Sequence, residues 1–324
     1  MTVELPGLFD LQVNGFGGVD FNAADLTADR AGEALQRMRS TGVTRCLPTL
    51  ITSSFEQFAA SARVLSRMTC PAIAGIHMEG PYVSPEDGTR GAHPREHVKP
   101  ATIDDFNRRQ DAAGGRIVLV TLAPEVAGAV RLIEHLVASG VRAAIGHTAA
   151  TPGQLADAIA AGATLATHLG NGCAQMLPRH PNVIWELLAA DAVLASVIVD
   201  GHHLPPATVK AMVRAKGERR MILVTDAVAA AGCAPGRYTI GNVTSELAAD
   251  GRVSLPGTPY LAGSALTLDR AIANTVRFTG LPIDDVAPMA SAIPASCLGM
   301  TTAGTVTAEW NAESGTLDVQ RVSA

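Results

Sequence analysis

Short apolar runs rich in Val, Ile, Leu and Thr alternate along this chain with Ala- and Leu-rich stretches. In the latter, apolar positions recur every three or four residues. The first pattern is that of buried strands, the second that of helices burying one face. The alternation predicts strands at 7–14, 44–51, 72–79, 117–123, 142–147, 164–168, 195–200 and 221–226. It predicts helices at 27–40, 55–68, 101–113, 126–139, 152–161, 183–192 and 206–217, with two more at 265–279 and 283–298. The punctuation agrees. Glycine follows helices at ASGV, AAGA and AKGE, where a left-handed cap is needed, and Pro or Thr opens them at ATPGQL and PPATVK.

Strand alternating with helix means parallel strands joined by crossover helices. Eight such strands predict an α/β fold of the (β/α)8 TIM-barrel type. An open doubly wound sheet fits less well, because no GxGxxG follows an early strand. After the eighth strand the pattern loosens. RYTIGNVTSELAADGRVSLPGTPYLAGS reads as a hairpin or excursion, and the tail carries two short strands, TVTAEW and TLDVQRV, joined by NAESG. The expected organisation is a barrel over 1–300 and a separate tail over 301–324.

Composition adds limits. The 324 residues are 47% hydrophobic but only 4% aromatic, so the core is built from Ala, Val, Leu and Ile. The net charge of −5 and the lack of a basic patch argue against a nucleic-acid partner. No run approaches the roughly 20 apolar residues of a membrane span, and MTVELPGLFD lacks a basic leader. The five cysteines are scattered, without a CxxC pair, and read as reduced thiols of a cytoplasmic protein.

In such a barrel the reactive face lies at the C-terminal ends of the strands. The predicted strands end in QVNG, HMEGP, IGHT, THLGNG, VDGHH and VTDA, so most deliver an acid, an imidazole or an amide to one rim. In the first strand Asp10, Gln12 and Asn14 are two apart and share a face. Burying such groups unpaired costs about 1–3 kcal/mol each, so they need partners. Glu79, His147 and His168 form the sharpest set. Imidazole with carboxylate suits a borderline divalent ion, and three protein ligands leave a position for water. A bound ion lowers the pKa of that water to about 7. Asp226 is placed to accept its proton and return it to a leaving group. A single His or Glu at a strand end is more often a structural residue; the joint pattern points to a site.

The residues also carry a resemblance. PGLFDLQVNGFGGVDF, LPTLITS, GIHMEGPYVSPEDGTRGAHP, VTLAPE, IGHTAATPGQLADAIAAGATLATHLGN, VDGHHLPPATVKAMVRAKG, MILVTDAVAAAG and LAGSALTLDRAIAN cover nearly the whole chain. In this order they resemble the N-acetylglucosamine-6-phosphate deacetylases of the amidohydrolase superfamily of metal-dependent barrels. The resemblance implies one divalent metal ion, Zn2+ first, with Fe2+, Co2+ or Mn2+ also suited, held by Glu79, His147 and His168. It implies that Asp226 is the general acid/base and that His93, in GAHP, stands near the substrate. Asn171, Gly172, Arg179 and His203 fall where the family holds the sugar phosphate. The His203 position is supplied there across a dimer interface, so a homodimer is implied. Leu261, Ala262, Gly263 and Ser264 match a loop near the acyl group. Read without the family, THLGNG is a plain glycine turn and Arg179 a solvated charge.

His77 lies two residues before Glu79 and is expected to hydrogen-bond behind the ligands rather than join them. His97, His135 and His180 read as surface or helix residues, and His202 fits the motif less well than its neighbour. Gln12 and Asn14 stand where many amidohydrolases carry His-x-His. Amides are poor ligands for a borderline metal, so they are expected to hydrogen-bond around a single ion.

Two departures stand out. Gly170 and Gly172 replace an aromatic and an alanine of the commoner motif, which predicts a wider sugar site or a changed acyl preference. The chain also starts nearly at barrel strand one, so the family's small β domain is expected to be reduced or missing, leaving a tail edge to be covered. The expected reaction is hydrolysis of the N-acetyl group of N-acetylglucosamine 6-phosphate to glucosamine 6-phosphate and acetate. The alternatives are a deacylase of another N-acyl amino sugar or of an N-acyl amino acid, and a non-catalytic sugar-phosphate binder. Retention of the ligand set and of Asp226 disfavours the binder.

Overall fold

The computed structural model describes residues 1–240, 243–258 and 260–323. The chain forms two compact units, one of residues 1–49, 68–74 and 198–324 and the other of residues 50–67 and 75–197. Eight strands carry the repeating pattern: β1 (Leu8–Val13), β2 (Val43–Ile51), β3 (Ile76–Glu79), β4 (Ile117–Leu122), β5 (Arg142–Ile145), β6 (Leu165–Ala166), β7 (Leu194–Val197) and β8 (Met221–Leu223). Their order in the sheet is their order in the chain, as the (β/α)8 class requires. Each is followed by a helix: α1 (Ala28–Arg39), α2 (Phe55–Arg67), α3 (Ile103–Ala112), α4 (Ala129–Ala138), α5 (Pro152–Ala160), α6 (Val183–Ala189), α7 (Pro206–Lys216) and α8 (Leu268–Thr279). The helix punctuation is where the sequence put it. Thr151 and Gln154 form a capping box on α5, and Gly140, Gly162 and Gly217 follow their helices at positive φ.

In the second unit β3 to β7 run parallel and side by side. Glu79 pairs with Thr121, Leu122 with Ile145, Ile145 with Ala166 and Ala166 with Ala195. This register sets the ends of β3, β5 and β6 on one rim. In the first unit β1 runs parallel to β2, and beyond β8 Ala227 bridges Val13 on one side and Ser264 on the other.

Three expectations change in detail. Strands β5, β6, β7 and β8 stop two or three residues before the predicted ends, and beyond three of them His147, His168 and Asp226 take positive φ. Residues 72–75 are not strand, although Ile73 makes a single bridge to Cys46. The helix expected at 283–298 is broken into Ile283–Val286, a 3-10 turn at Ala287–Ala290 and Ala292–Cys297. Pro288 and Pro294 lie within it, and each lacks the N–H that an uninterrupted helix would use.

The tail belongs to a small three-stranded sheet. Strand Thr2–Pro6 pairs antiparallel with Thr305–Asn311, which pairs with Thr316–Val322. Leu5 faces Val306 across that pairing and both are buried. One edge of the tail is thus covered by the chain's own first residues. The predicted excursion is an antiparallel sheet of Gly236–Ile240, Val243–Leu247 and Val253–Ser254. Its residues 241, 242 and 259 lie outside the described residues.

One buried charge network pins the segment that follows Glu79. Arg109 of α3 is 1% exposed, and its Nε donates to Asp105 at 3.0 Å while its guanidinium lies 5.0 Å from the Phe58 ring centre. Tyr82 Oη and Lys99 Nζ also donate to Asp105, at 2.9 and 2.8 Å. Burial would raise Asp105, but these donors prevail and hold its carboxyl below the ordinary value. Replacing Asp105 with Ala leaves Arg109 buried and uncompensated, so Asp105→Ala should lower unfolding free energy by about 3–5 kcal/mol in urea titration.

Candidate active site and metal centre

Glu79 is the last residue of β3. His147 and His168 each lie two residues beyond the ends of β5 and β6. All three are buried. Glu79 Oε1 lies 3.2 Å from His147 Nε2 and 3.0 Å from His168 Nε2, and the two nitrogens are 3.1 Å apart. Among the described residues this is the one group of three His, Cys, Asp or Glu with convergent ligand atoms. His93, from the loop after β3, adds a third nitrogen, with Nε2 3.2 Å from His147 Nε2.

The backbone explains how short strands deliver these groups. Among the described residues, the non-glycine residues with positive φ are His147 at 49°, His168 at 31° and Asp226 at 50°. Such conformations are disfavoured for residues with a Cβ and cost about 1–3 kcal/mol each, so they persist only where surrounding bonds impose them. They turn each side chain off the strand direction. The same three positions had been singled out for their chemistry alone.

The tautomer of His147 follows from its partner. Its Nδ1–H donates to the Thr89 carbonyl at 3.0 Å, leaving the Nε2 lone pair facing Glu79 and His168. Bare imidazole nitrogens at such separations repel unless a proton or a cation lies among them. The donor set of two imidazoles and a carboxylate is the one a borderline divalent ion takes. Burial alone would raise Glu79, but the His147 and His168 rings beside it outweigh burial and hold the carboxyl well below its ordinary value. The carboxylate is therefore anionic, as a ligand must be.

Burial and then the neighbouring His147 push His93 down to about 3, with Glu79 opposing. Its Nδ1 lies 2.7 Å from Thr52 Oγ1. His77 does not join the cluster: its Nε2 contacts Thr121 Oγ1 at 2.8 Å, and Thr121 contacts Thr167 Oγ1 at 2.7 Å. This buried polar row crosses β3 and β4 and reaches Thr167, next to His168.

Glycines shape the other side of His147. A Cβ on Gly172 would lie 2.9 Å from His147 Nδ1, and one on Gly91 would lie 3.2 Å from its Cε1. The methyl missing at 172 thus leaves room for the His147 ring. The Gly172 carbonyl also accepts from Thr148 N at 3.1 Å. Gly170, Asn171, Gly172 and Cys173 line a small cavity with Leu187 of α6. Asn171 Nδ2 donates to the His168 carbonyl at 3.3 Å. Arg179 is exposed, and its carbonyl accepts from Asn182.

In the first unit, Asn14 Nδ2 donates to Asp226 Oδ1 at 2.7 Å. The Asp226 N–H donates to the Gln12 carbonyl at 2.9 Å, and Ser264 N–H donates to the Asp226 carbonyl at 3.2 Å. Gln12 is buried within β1. Leu261, Ala262 and Gly263 lead into Ser264; a Cβ on Gly263 would overlap Val228, so only glycine fits there. His203 Nδ1 lies 2.7 Å from Asp200 Oδ2, and both backbone N–H groups of His202 and His203 donate to Asp200 Oδ1. Burial would raise Asp200, but the bonds to His203 and His202 hold it below its usual value.

Sequence reasoning missed several supporting groups. Thr89 acts through its carbonyl, which no side-chain pattern reveals. Glu125 accepts from Thr148 Oγ1 at 2.5 Å and Ala149 N at 2.6 Å, holding the turn after His147. Its position in VTLAPE was the available signal.

The amidohydrolase family model matches residues 3–313, and the chain belongs to that family of metal-dependent hydrolases. It is 35% identical over 312 residues to the N-acetylglucosamine-6-phosphate deacetylase of Bacillus subtilis (strain 168), covering 92% of this chain and 76% of that protein. It is 33% identical over 300 residues to an N-acetylgalactosamine-6-phosphate deacetylase of Escherichia coli O157:H7, covering 91% of this chain and 78% of that one. A solved structure of N-acetyl-D-glucosamine-6-phosphate deacetylase from Mycobacterium smegmatis, a substituted form in complex with N-acetyl-D-glucosamine-6-phosphate, superimposes with a TM-score of 0.90 at 33% identity. That match covers 99% of this chain and 86% of the other.

Gly172→Ala should press on the His147 ring and weaken metal binding by about tenfold, as loss of supporting contacts to a ligand does. Competition with a chromogenic chelator measures this, and unchanged affinity would show that the ring has room to move.

Proposed function

We propose that this protein hydrolyses the N-acetyl group of N-acetylglucosamine 6-phosphate, giving glucosamine 6-phosphate and acetate. The observation that carries the reading is the buried convergence of Glu79 Oε1 with His147 and His168 Nε2, in a chain related to enzymes named for that reaction. Glu79, His147 and His168 would hold one divalent ion, Zn2+ by preference over Fe2+, Co2+ or Mn2+, supplying Lewis acidity toward the acyl carbonyl and the attacking water.

The chain's own groups then have separate tasks. Asp226 takes a proton from water and delivers it to the leaving amine. The Asn14 amide orients that carboxylate. His93 is neutral at working pH and donates Nε2–H to the acyl oxygen, with Thr52 bonded to Nδ1. A bound cation would push its pKa in the same downward direction. The backbone at Asn171 and Gly172, the Arg179 guanidinium and His203 hold the phosphate. Asp200 fixes the His203 ring so that Nε2 is the free face. Leu261, Ala262 and Gly263 border the acyl group. A homodimer would supply His203 to the neighbouring copy. We propose the cytoplasm as the place of the reaction, because a phosphorylated substrate does not cross membranes unaided.

A second reading keeps the chemistry and changes the sugar. The relationship to an N-acetylgalactosamine-6-phosphate deacetylase and the glycine at 170 favour it. Comparing acetate release from the two epimeric sugar phosphates, and from unphosphorylated N-acetylglucosamine, separates the readings; no preference for phosphate rejects both.

Metal-loaded Asp226→Asn should release acetate about 10²–10⁴-fold more slowly than the unaltered enzyme. Equal rates would remove Asp226 from its role. For His93, the charged form is lost above about pH 3. His93→Asn should therefore lower kcat by about 10²–10³-fold without moving the midpoints of the kcat profile between pH 5 and 9. A shifted midpoint would show that His93 titrates there.

A further inference from the structure

Asp10 is fully buried in β1, and nothing in the proposed chemistry uses it. Its hydrogen bonds have a narrow distribution. Oδ2 accepts from Thr225 Oγ1 at 2.5 Å, and Oδ1 accepts from Thr225 N and Gln12 N, both at 3.2 Å. Every one of these donors is tied directly to Asp226. Thr225 precedes it in the chain, and Gln12 accepts its N–H through the backbone carbonyl at 2.9 Å. Thr225 Oγ1 also accepts from Ala227 N at 3.1 Å, so one hydroxyl ties the residue before Asp226 to the residue after it.

This clamp surrounds a residue whose backbone is left-handed, at φ 50°. A lone residue in that conformation relaxes unless bonds on both sides hold it. Burying a carboxyl is unfavourable, and an apolar side chain would fill the space without that penalty. The carboxyl at position 10 is accounted for by the bonds it makes to the 225–227 turn.

We propose that Asp10, acting through the Thr225 hydroxyl, is the positioning residue for Asp226. It sets the backbone turn that aims the Asp226 carboxylate, while Asn14 sets that carboxylate's orientation. Asp10 touches no reacting atom. The proposal rests on Asp226 being the general acid/base.

The test uses full-length, metal-loaded enzyme with N-acetylglucosamine 6-phosphate. Asp10→Ala, Thr225→Val and Thr225→Ser are made singly and in the Asp226→Asn background, and kcat, KM, metal per chain and thermal midpoint are measured. Misplacing a catalytic group by about 1 Å costs about 10²-fold, so Thr225→Val and Asp10→Ala should lower kcat by about that factor with KM and metal content close to the unaltered enzyme. Thr225→Ser, which keeps the hydroxyl, should restore most of the lost rate. In the Asp226→Asn background neither Asp10→Ala nor Thr225→Val should slow the residual reaction further. If Asp10→Ala fails to fold, Thr225→Val and Thr225→Ser decide alone. The proposal is overturned if Thr225→Val keeps its kcat, if Thr225→Ser is as slow as Thr225→Val, or if the losses multiply in the Asp226→Asn background. A fast Asp226→Asn enzyme overturns the acid/base reading, and this proposal with it. A slow Asp226→Asn with fast Thr225→Val overturns this proposal alone.

Discussion

Imidazole nitrogens and a carboxylate oxygen packed about 3 Å apart, and shut away from water, are the constraint around which the second unit is built. Such a cluster needs positive charge among its lone pairs. The protein prepares for it by fixing the ligand atoms first. Thr89 selects the His147 tautomer, Gly91 and Gly172 let neighbouring loops close on its ring, and Glu125 holds the turn behind it. The Arg109–Asp105–Tyr82 network, itself costly to bury, anchors the loop that leaves Glu79.

A recurring device places three of the candidate site residues. His147, His168 and Asp226 all stand just beyond parallel strands in left-handed backbone. A strand residue can point only to one face or the other. Leaving the strand through a positive φ frees the side chain from that alternation. The strain is held by the sheet register and by bonds such as those joining Thr225, Gln12 and Asp10.

This device also explains what the sequence could reveal. The Glu79, His147 and His168 set was legible because the apolar run before each residue marks a strand, and because their chemistry coincides at strand ends. The helix caps were legible because Gly and Thr have local reasons to stand there. The early stops of β5, β6 and β8 were not, since a polar residue after an apolar run looks like one more strand residue. The Asp10–Thr225 contact joins residues 215 apart, which no local pattern can show. The pairing of residues 2–6 with Val306 and Ala308 joins the two ends of the chain, which no local pattern shows either. At Gly172 a missing methyl is visible in sequence, but the His147 ring beside it is not.

On the proposed function, Glu79, His147 and His168 hold a single ion on which deacetylation depends. The most direct measurement is to strip the enzyme with a chelator, add Zn2+ in fractions of an equivalent, and follow acetate release from N-acetylglucosamine 6-phosphate. Negligible activity without metal, a linear rise, and saturation at one ion per chain are expected. Full activity in the stripped enzyme, or saturation only at two ions per chain, would contradict it.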